Sequence, residues 1–331
     1  MKKTVFVVDD SLTNLSKAEE ALEKQYRVIT LLSVRRMHAA LEKIMPDLIL
    51  LDIAMPEMSG FEALKQLKSN KLHANIPVIF LTALTDSYNE ALGIELGAVD
   101  FITKPFSEPV LLNRIRNHLD IDEIIQKRTE QLTQLNDGIV FTFADNIERR
   151  DKKAEGHIDR VSSLLKSLLD DMASLGVYID ELRRWDIDSF ISAALLHDVG
   201  KLVIPDCILN KPGQLTDEEY QLVKTHTIAA EKIIDQMNSR TGEMGFFNNA
   251  RQIAAYHHEH WDGTGYPYGL KRTGIPLHGR IMAVIDVYDA LATDRPYREA
   301  LPHDEAIRII RSDAGRQFDP LIADVFCGID G

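Results

Sequence analysis

The stretch ISAALLHDVGK, residues 191–201, is an apolar run that ends in the adjacent pair His197-Asp198. Further along the chain, HHEHWDGTGYP at residues 257–267 opens with a second adjacent pair, His257-His258. Imidazoles and carboxylates at this density, with no cysteine among them, suit a hard-to-borderline divalent metal and argue against a structural zinc finger. Such pairs can serve two metals at once, and two close metals are a common means of hydrolysing a phosphodiester. The sequence therefore predicts a metal-dependent hydrolase.

The region around these motifs predicts an all-helical domain. From about residue 137 onward, long amphipathic segments alternate with joints rich in glycine and proline. Gly200 is expected to stop the helix formed by the apolar run. Thr216 and Glu219 form a capping-box pattern, which predicts the start of the helix that carries His226.

Together with IPLHGRIMAVIDVYDAL at residues 275–291, these motifs resemble the HD-GYP family of cyclic-dinucleotide phosphodiesterases. The resemblance covers roughly the last 195 residues and implies an all-α HD-superfamily domain at 137–331 that acts as a metal-dependent phosphohydrolase. It implies cyclic di-GMP as the substrate and pGpG as the first product, with GMP if a second cut follows. It also implies seven metal ligands, namely His157, His197, Asp198, His226, His257, His258 and Asp286.

Two metals are expected at this centre. Asp198 is the natural bridge, because a carboxylate can give one oxygen to each metal. Some family members hold a third metal with a Glu one helical turn before the first histidine, but Lys153 stands there, and Glu155 is offset from that helix face. Iron, manganese, zinc, nickel and cobalt all accept such ligands, and the resemblance favours iron or manganese.

The expected substrate-binding residues surround this centre. Lys201 lies three residues past Asp198, so it can reach a phosphate oxygen from the same face, and these two residues are the expected catalytic groups. The resemblance adds Tyr266, and it adds Arg295 and Arg298, whose forked donors suit phosphate or the guanine edge.

A turn and several polar residues are expected to support the site. Gly263, Gly265 and Pro267 form a turn that lets the backbone approach a ligand closely, and we interpret it as the lip of the pocket. Asp262 and Asp289 are expected to orient ligands or bases. His260 and His278 lie near the cluster but outside the family's ligand positions, so a supporting role is the lesser alternative for them.

The first 119 residues have a different character. Five apolar runs, separated by amphipathic stretches, predict a parallel sheet wrapped by helices: VFVVDD, RVITLLS, DLILLD, IPVIFLTAL and DFITKP. In such sheets, ligands collect where strands end. Those ends supply Asp9, Asp10, Asp52, Thr82 and Lys104.

This set fits the chemistry of aspartyl phosphorylation. Asp9 and Asp10 are expected to hold Mg²⁺, and Asp52 is the expected nucleophile. Lys104 and Thr82 are expected to meet the phosphoryl oxygens. VVDDS, LLDIAMPEMSG, FLTAL and KPF resemble a response-regulator receiver domain, a doubly wound, flavodoxin-like α/β fold with a five-stranded parallel sheet, here at 1–119.

One position departs from the common receiver pattern. Many receivers carry a switch Tyr three residues before the lysine, whereas this chain has Phe101. A phenyl ring can swing inward there but cannot form the hydroxyl hydrogen bond. The resemblance implies a cognate histidine kinase as the phosphoryl donor.

Residues 120–136 are expected to form a helical linker. Ile121, Ile125, Arg128, Leu132, Leu135 and Ile139 follow a four-three spacing, which is typical of a coiled-coil seam. A linker helix packed on its own domain is the alternative, and dimerisation is the slightly favoured reading.

Composition narrows the functions further. The net charge is −13 and falls mostly on the second half, where no basic recognition helix is visible, so DNA binding is not expected. No apolar run approaches a membrane span, and the N-terminus is not an export signal, so we expect no membrane contact and a cytoplasmic location. Cys207 and Cys327 give no disulfide framework.

Together, the two resemblances imply a cyclic di-GMP phosphodiesterase that is controlled by phosphorylation. Two alternatives to this function stay open. The domain could be a catalytically weak sensor that binds the dinucleotide or a partner such as a diguanylate cyclase. It could also hydrolyse another cyclic dinucleotide, such as 3′3′-cGAMP, with the same machinery.

Overall fold

The computed structural model of the chain describes residues 2–83, 87–151, 156–242, 245–294 and 299–328, except for the side chains of residues 87–90. These residues fall into two compact units, Met1–Gln131 and Leu132–Gly331. The division lies inside the predicted linker, while the predicted bounds 1–119, 120–136 and 137–331 stay predictions.

The first unit is a five-stranded parallel sheet with the order β2-β1-β3-β4-β5. Its strands are β1 Thr4–Val8, β2 Arg27–Leu31, β3 Leu48–Asp52, β4 Val78–Thr82 and β5 Asp100–Thr103. The helices between them are α1 Leu12–Leu22, α2 Val34–Leu41, α3 Gly60–Ser69 and α4 Ser87–Glu95. This order is that of the flavodoxin-like doubly wound fold, so the predicted fold class is confirmed.

Burial on both faces explains why the strand sequences are continuously apolar. Every residue of β1, β3 and β4 is buried, as expected for a parallel sheet covered by helices on both sides. The parallel register places Asp52 beside Leu81 and Thr82 beside Thr103. The polar residues that end these strands therefore meet at one edge of the sheet.

Helix α5, Glu108–Arg150, is 43 residues long and contains the whole predicted linker, so the linker is not a separate element. Pro109 lies in the first turn, where it is tolerated, and the absence of proline from residues 110–150 and the late position of Gly138 allow the helix to continue. Its ends bury apolar residues, whereas the predicted seam is solvent-exposed in its middle part: exposure is 51–66% at Ile121, Ile125, Leu132, Leu135 and Ile139.

The second unit is all-helical in its described residues, apart from an isolated bridge between Ala314 and Phe318. After α5 come α6 His157–Ser174, α7 Ile179–Leu182, α8 Ile187–Ala194, α9 Asp206–Leu209, α10 Asp217–Lys224, α11 His226–Thr241, α12 Gly245–Tyr256, α13 Leu277–Ala292, α14 His303–Ser312 and α15 Pro320–Phe326. Short 3-10 helices span Val199–Val203 and Arg272–Gly274. Helix α13 is central, with Leu277–Ile285 buried throughout. None of the described helices is long and apolar enough to span a membrane.

Two local predictions were wrong. The capping box of Thr216 and Glu219 is present, but the helix that it opens ends at Lys224, and His226 begins the next one. The hydroxyl of Thr225 donates to the Leu222 carbonyl at this junction, which offers the backbone an alternative partner. Gly200 does not stop α8, which ends at Ala194; the glycine lies inside the 3-10 helix Val199–Val203.

Candidate metal centre and phosphoacceptor site

The predicted metal ligands lie mostly where helices begin or end. His157 and His226 are the first residues of α6 and α11, and His257-His258 directly follow α12. His197-Asp198 occupy the turn between α8 and the 3-10 helix Val199–Val203. Helix ends from distant parts of the chain thus meet at one place, with α13 supplying Asp286 from its interior.

Six of the seven predicted ligands form two compact groups. The side-chain ligand atoms lie within 4.8 Å of one another in each group: one consists of His157, His197 and Asp198, the other of His226, His257 and His258.

The Asp198 carboxylate lies between the two groups. Its Oδ2 atom is 3.4 Å from His197 Nε2, and its Oδ1 atom is 3.5 Å from His226 Nε2. One oxygen therefore faces each group, which is the arrangement that a bridging carboxylate requires.

Asp286 lies outside both groups but acts on them electrostatically. Its negative charge adds to the larger effect of Asp198 in raising the pKa of His197, and it opposes the lowering of the pKa of His257 that burial causes. The structure therefore brings Asp286 next to the centre without placing its carboxylate among the other six.

Among the residues that the structure describes, two buried imidazole nitrogens have no hydrogen-bond partner. The Nδ1 atoms of His226 and His257 lie 2.7 Å and 3.0 Å from the carbonyls of Val223 and Ala254, respectively. A carbonyl can only accept, so Nδ1 carries the hydrogen and each Nε2 keeps a free lone pair. Both Nε2 atoms are buried without a hydrogen bond, since the 3.5 Å from His226 to Asp198 is too long for one. A buried lone pair of this kind is satisfied by a metal, so these residues fit the implied metals.

The protonation states suit metal binding. Burial lowers the pKa of His226 and of His258, and it lowers the pKa of His257 to about 3, so burial favours the neutral form of all three imidazoles. Neutral imidazole is the form that ligates a metal. Burial also disfavours charge on His197, but the neighbouring Asp198 outweighs it and raises that pKa.

Lys201 is held between two carboxylates. Its Nζ atom lies 2.7 Å from Asp198 Oδ2 and 3.0 Å from Asp151 Oδ2. Burial alone would lower the pKa of Lys201, but the two carboxylates outweigh it and raise the pKa. Although burial alone would raise the pKa of Asp198, Lys201 and His197 hold it well below its usual range. No motif surrounds Asp151, so the sequence did not identify it as a residue of the site.

The carboxylate of Asp289 orients His157, as predicted. Its Oδ2 atom is 2.7 Å from His157 Nδ1, and its Oδ1 atom accepts from Arg160 Nε at 2.5 Å. The backbone N–H of His157 donates to Glu148 Oε1 at 2.7 Å. Asp289 and Glu148 thus position the first histidine by its side chain and its backbone.

Gly200 allows close packing behind the centre. A Cβ atom there would lie 1.8 Å from the carbonyl oxygen of His226 and 2.6 Å from the backbone nitrogen of Ala230. The 3-10 helix Val199–Val203 can therefore lie against the start of α11 only because residue 200 has no side chain. This contact fixes the distance between Asp198 and His226.

The predicted lip turn reaches the second histidine group. The Tyr266 ring stacks on His258 at 4.8 Å between centroids, and the Tyr266 N–H donates to the His258 carbonyl at 3.0 Å. Gly263 has a positive φ of 84°, and a Cβ on Gly265 would lie 2.2 Å from the backbone nitrogen of His260. Glycine is required at both positions by the backbone conformation and by protein packing, and the close approach to a ligand stays a prediction.

Glu259 holds the far side of this turn, and the sequence did not single it out. Its buried carboxylate accepts from three backbone N–H groups, those of Tyr268 at 2.7 Å, Gly269 at 3.1 Å and Leu270 at 2.9 Å. Lys224 lies on the other side, with Nζ 5.1 Å from the centroid of the Tyr266 ring. These residues shape the wall next to His258.

Arg295, Arg298, Lys153 and Glu155 are outside the described residues. Asp262 does not orient a ligand in the described contacts; it accepts from the N–H and the hydroxyl of Thr264.

Neither of the two neighbouring histidines supports a predicted ligand in the described contacts. His260 pairs with the hydroxyl of Thr264 at 3.1 Å. His278 is buried against Trp185 and Phe190 and pairs with Asn249 at 3.2 Å.

The strand ends of the first unit form a second polar site. Asp9, Asp10 and Asp52 place carboxylate oxygens within 4.8 Å of one another, so they fit a Mg²⁺ ion. Lys104 Nζ is 2.6 Å from Asp9 and 2.8 Å from Asp52. Burial raises the pKa of Asp52, and Lys104 only partly opposes this rise. Thr82 is buried where β4 ends.

Phe101 packs inward in this structure. Its ring centroid is 5.4 Å from that of Phe80, and a Cβ on Gly93 would lie 2.4 Å from the tip of the Phe101 ring. The inward orientation that the sequence allowed is therefore the one observed.

Comparison with known proteins matches both units. The HD domain family matches residues 147–322, and the response regulator receiver domain family matches residues 5–116. A probable cyclic di-GMP phosphodiesterase of Vibrio cholerae is 39% identical over 98% of this chain and 77% of its own length. The cyclic di-GMP phosphodiesterase response regulator RpfG of Xanthomonas campestris is 35% identical over 84% of this chain and 74% of its own length. A 3′3′-cGAMP-specific phosphodiesterase 2 of Vibrio cholerae is 32% identical over 59% of this chain and 35% of its own length.

Proposed function

We propose that this chain, which belongs to the HD-domain family of cyclic di-GMP phosphodiesterases with an N-terminal response regulator receiver domain, hydrolyses cyclic di-GMP to pGpG under the control of phosphorylation at Asp52. The observation that carries the proposal is the Asp198 carboxylate, which directs one oxygen to each of two histidine groups. The buried lone pairs of His226 and His257 support metal binding at the same place.

The residues present fit two divalent metals. His157, His197 and Asp198 would hold one, the group of His226, His257 and His258 would hold the other, and Asp286 would complete the set. Bound there, two metals would supply Lewis-acid activation of water and of the phosphoryl group. Both metals are expected to be iron or manganese, and zinc, nickel and cobalt suit the same ligands.

The protein's own groups then have separate tasks. Lys201 is 2.7 Å from Asp198, so it can donate to a phosphate oxygen beside the bridge and stabilise the charge that develops at phosphorus. Asp289 and the helix-end carbonyls hold the imidazoles in one orientation. Tyr266 offers an aromatic face beside His258 on which a base can stack.

The assay for this proposal is hydrolysis of cyclic di-GMP by anaerobically purified protein loaded with iron or manganese, with the products separated by chromatography. We expect pGpG to accumulate, and we expect the His197→Ala/Asp198→Ala protein to lose this activity. Turnover that survives in the double variant would contradict the assignment of the site. Retained binding of the dinucleotide without turnover would instead identify a sensor.

Similarity to a 3′3′-cGAMP-specific phosphodiesterase favours one second candidate. The same metals and the same Lys201 would cleave either dinucleotide, so selectivity rests on the base contacts. Competition between cyclic di-GMP and 3′3′-cGAMP in one reaction separates the candidates. A kcat/KM that is higher for 3′3′-cGAMP would replace the proposed substrate.

For regulation, we propose that a histidine kinase phosphorylates Asp52 with Mg²⁺ held by Asp9 and Asp10, and that this phosphorylation raises phosphodiesterase activity. Lys104 and Thr82 are the groups that would meet the phosphoryl oxygens. Treatment with acetyl phosphate should raise the turnover of the wild type but not that of Asp52→Ala. Identical rates for the two treated proteins would contradict this control.

We also propose that the chain forms a homodimer through α5. Apolar side chains on the four-three seam are more than half exposed, a costly arrangement for a helix that stays alone in water. Ile125→Lys should shift the sedimentation equilibrium toward monomer. Ile124→Lys is the matched control, since Ile124 is 60% exposed and lies off the seam. Equal effects of the two variants would contradict a seam-specific dimer.

A further inference from the structure

At the C-terminal end of α5, Glu148, Arg150 and Asp151 each contact residues in or next to the candidate metal centre. Glu148 accepts the backbone N–H of His157, and Arg150 donates to the Leu202 and Ile204 carbonyls at 3.3 Å and 3.4 Å. Asp151, the residue after the helix, pairs with Lys201 at 3.0 Å. The end of α5 is therefore part of the framework that holds the centre.

We propose that Asp151 is a positioning residue for Lys201, and that it holds the ammonium group ready for the substrate phosphate. This inference rests on the proposed phosphodiester hydrolysis. Neither the motifs of the sequence nor the seven predicted ligands assign a role to Asp151.

Charge explains why a second carboxylate is needed. The side chain of Lys201 is only 21% exposed, and an ammonium group that is largely withdrawn from water needs compensating negative charge beside it. In the described contacts, that charge comes from Asp198 and Asp151. Asp198, however, is also the predicted bridge, so its oxygens would be shared with the metals.

In the described contacts, Asp151 is the second carboxylate that pairs with Lys201, and it is not among the predicted metal ligands. It is 8% exposed, and its Oδ2 atom lies 3.0 Å from Lys201 Nζ, whereas Asp198 has one oxygen facing each histidine group. Without Asp151, the carboxylate left beside Lys201 in the described contacts would be Asp198, which the two metals share. The two metal cations would then repel the ammonium group of Lys201. With Asp151, the ammonium group stays beside the bridge and within reach of a phosphate oxygen.

A double-mutant cycle tests this role. Asp151→Asn keeps the size of the side chain and removes its charge, and Lys201→Met removes the cation with little change of shape. We expect Asp151→Asn to lower kcat/KM by roughly tenfold or more, the scale seen when groups that orient an active site are removed. In the Lys201→Met background the same substitution should cause almost no further loss, because its target is gone.

The matched control is Asp206→Asn. Asp206 is the first residue of α9 and pairs with Arg150 of α5 at 2.6 Å, but its side chain is 71% exposed and does not contact Lys201 in the described contacts. We expect near wild-type kcat/KM from this variant. Circular dichroism establishes that each variant is folded, and Asp151→Ser serves as a second replacement if Asp151→Asn is not.

Binding of cyclic di-GMP to the metal-loaded proteins, measured by calorimetry, is the second readout. Asp151→Asn and Lys201→Met should each weaken binding, again without additivity. Wild-type activity and affinity in Asp151→Asn, or equal losses in both backgrounds, would overturn the role of Asp151 while leaving the phosphodiesterase proposal intact. A wild-type protein that binds cyclic di-GMP but does not hydrolyse it would contradict the proposed function alone. The affinities of the single and double variants would then decide whether Asp151 positions Lys201. A wild type that does neither would end both.

Discussion

Replacing Gly200 with alanine should disable the candidate metal centre without touching any predicted ligand. The added Cβ would lie 1.8 Å from the carbonyl oxygen of His226, where ordinary contact begins at 3.4 Å. The 3-10 helix Val199–Val203 would have to move away from α11 by about 1.6 Å to relieve the overlap. Both close neighbours are backbone atoms, so no side-chain rotation can absorb the strain.

This movement acts on the centre because Gly200 lies between Asp198 and Lys201 in the sequence. Asp198 would be drawn away from His226, which is now 3.5 Å from it. Overpacking of this kind costs about 1–3 kcal/mol of folding stability. A misplacement of about 1 Å at reacting groups can cost about 100-fold in rate. We therefore expect a folded protein with a lower melting temperature, weakened binding of one metal and at least that loss of turnover.

The measurements are metal content after dialysis, thermal unfolding and hydrolysis of cyclic di-GMP. Gly274→Ala is the matched control, since Gly274 also lies in a 3-10 helix but a Cβ there would have nothing within 4 Å. If Gly200→Ala keeps wild-type metal content and turnover, the reasoning that close packing of this 3-10 helix sets the geometry of the centre is refuted.

Three further predictions concern stability and substrate binding. Burial, with a smaller effect of Arg280, lowers the pKa of His278 from 6.5 to about 4. As the pH falls the unfolded chain binds this proton first, so stability that is complete above pH 6.5 is lost toward pH 4, by about 3 kcal/mol in all. Urea titrations of wild type and His278→Gln across this range should show a shallower decline in the variant, and parallel curves would contradict it. Chelation of the metals should lower the melting temperature and metal return should restore it, because the lone pairs of His226 and His257 would lose their partners; an unchanged melting curve would argue against occupancy. Glu259→Gln should cost about 1–3 kcal/mol of stability and raise KM, because the amide NH₂ would face backbone donors behind the Tyr266 turn; a KM equal to that of the wild type would show that the turn does not bind substrate.

The fold of the first unit could be predicted almost completely from the sequence. Its strands are continuous apolar runs because both faces of the sheet are covered, and each run ends in a polar residue at the functional edge. The predicted metal ligands could also be identified from the sequence, because five of the seven fall within the three motifs at 191–201, 257–267 and 275–291, and the structure brings six of the seven into two groups. In these cases short-range pattern and three-dimensional role coincide.

Residues whose role depends on distant partners could not be predicted in this way. Asp151 meets Lys201 across fifty positions, and Glu148 meets the backbone of His157 across a helix junction. A solitary carboxylate in a polar helix end looks the same whether it is solvated or buried against an active site. Only the packing of α5 against the centre distinguishes the two.

The two wrong predictions have separate physical causes. A glycine after an apolar run is typical of a helix end, but the same residue is also required where two backbones approach closely, and Gly200 serves the second purpose. The capping box at Thr216 was read correctly, but a single threonine at 225 was enough to divide the following helix before His226. Local signals locate where elements begin more reliably than where they end.

The most direct test of a two-metal centre is a titration of metal-free protein with manganese in which bound metal and cyclic di-GMP hydrolysis are measured on the same samples. Two histidine groups joined by Asp198 predict that hydrolysis stays near background up to one bound metal per chain and rises to its maximum as the second binds. Full turnover with one bound metal per chain, or none with two, would contradict a two-metal phosphodiesterase.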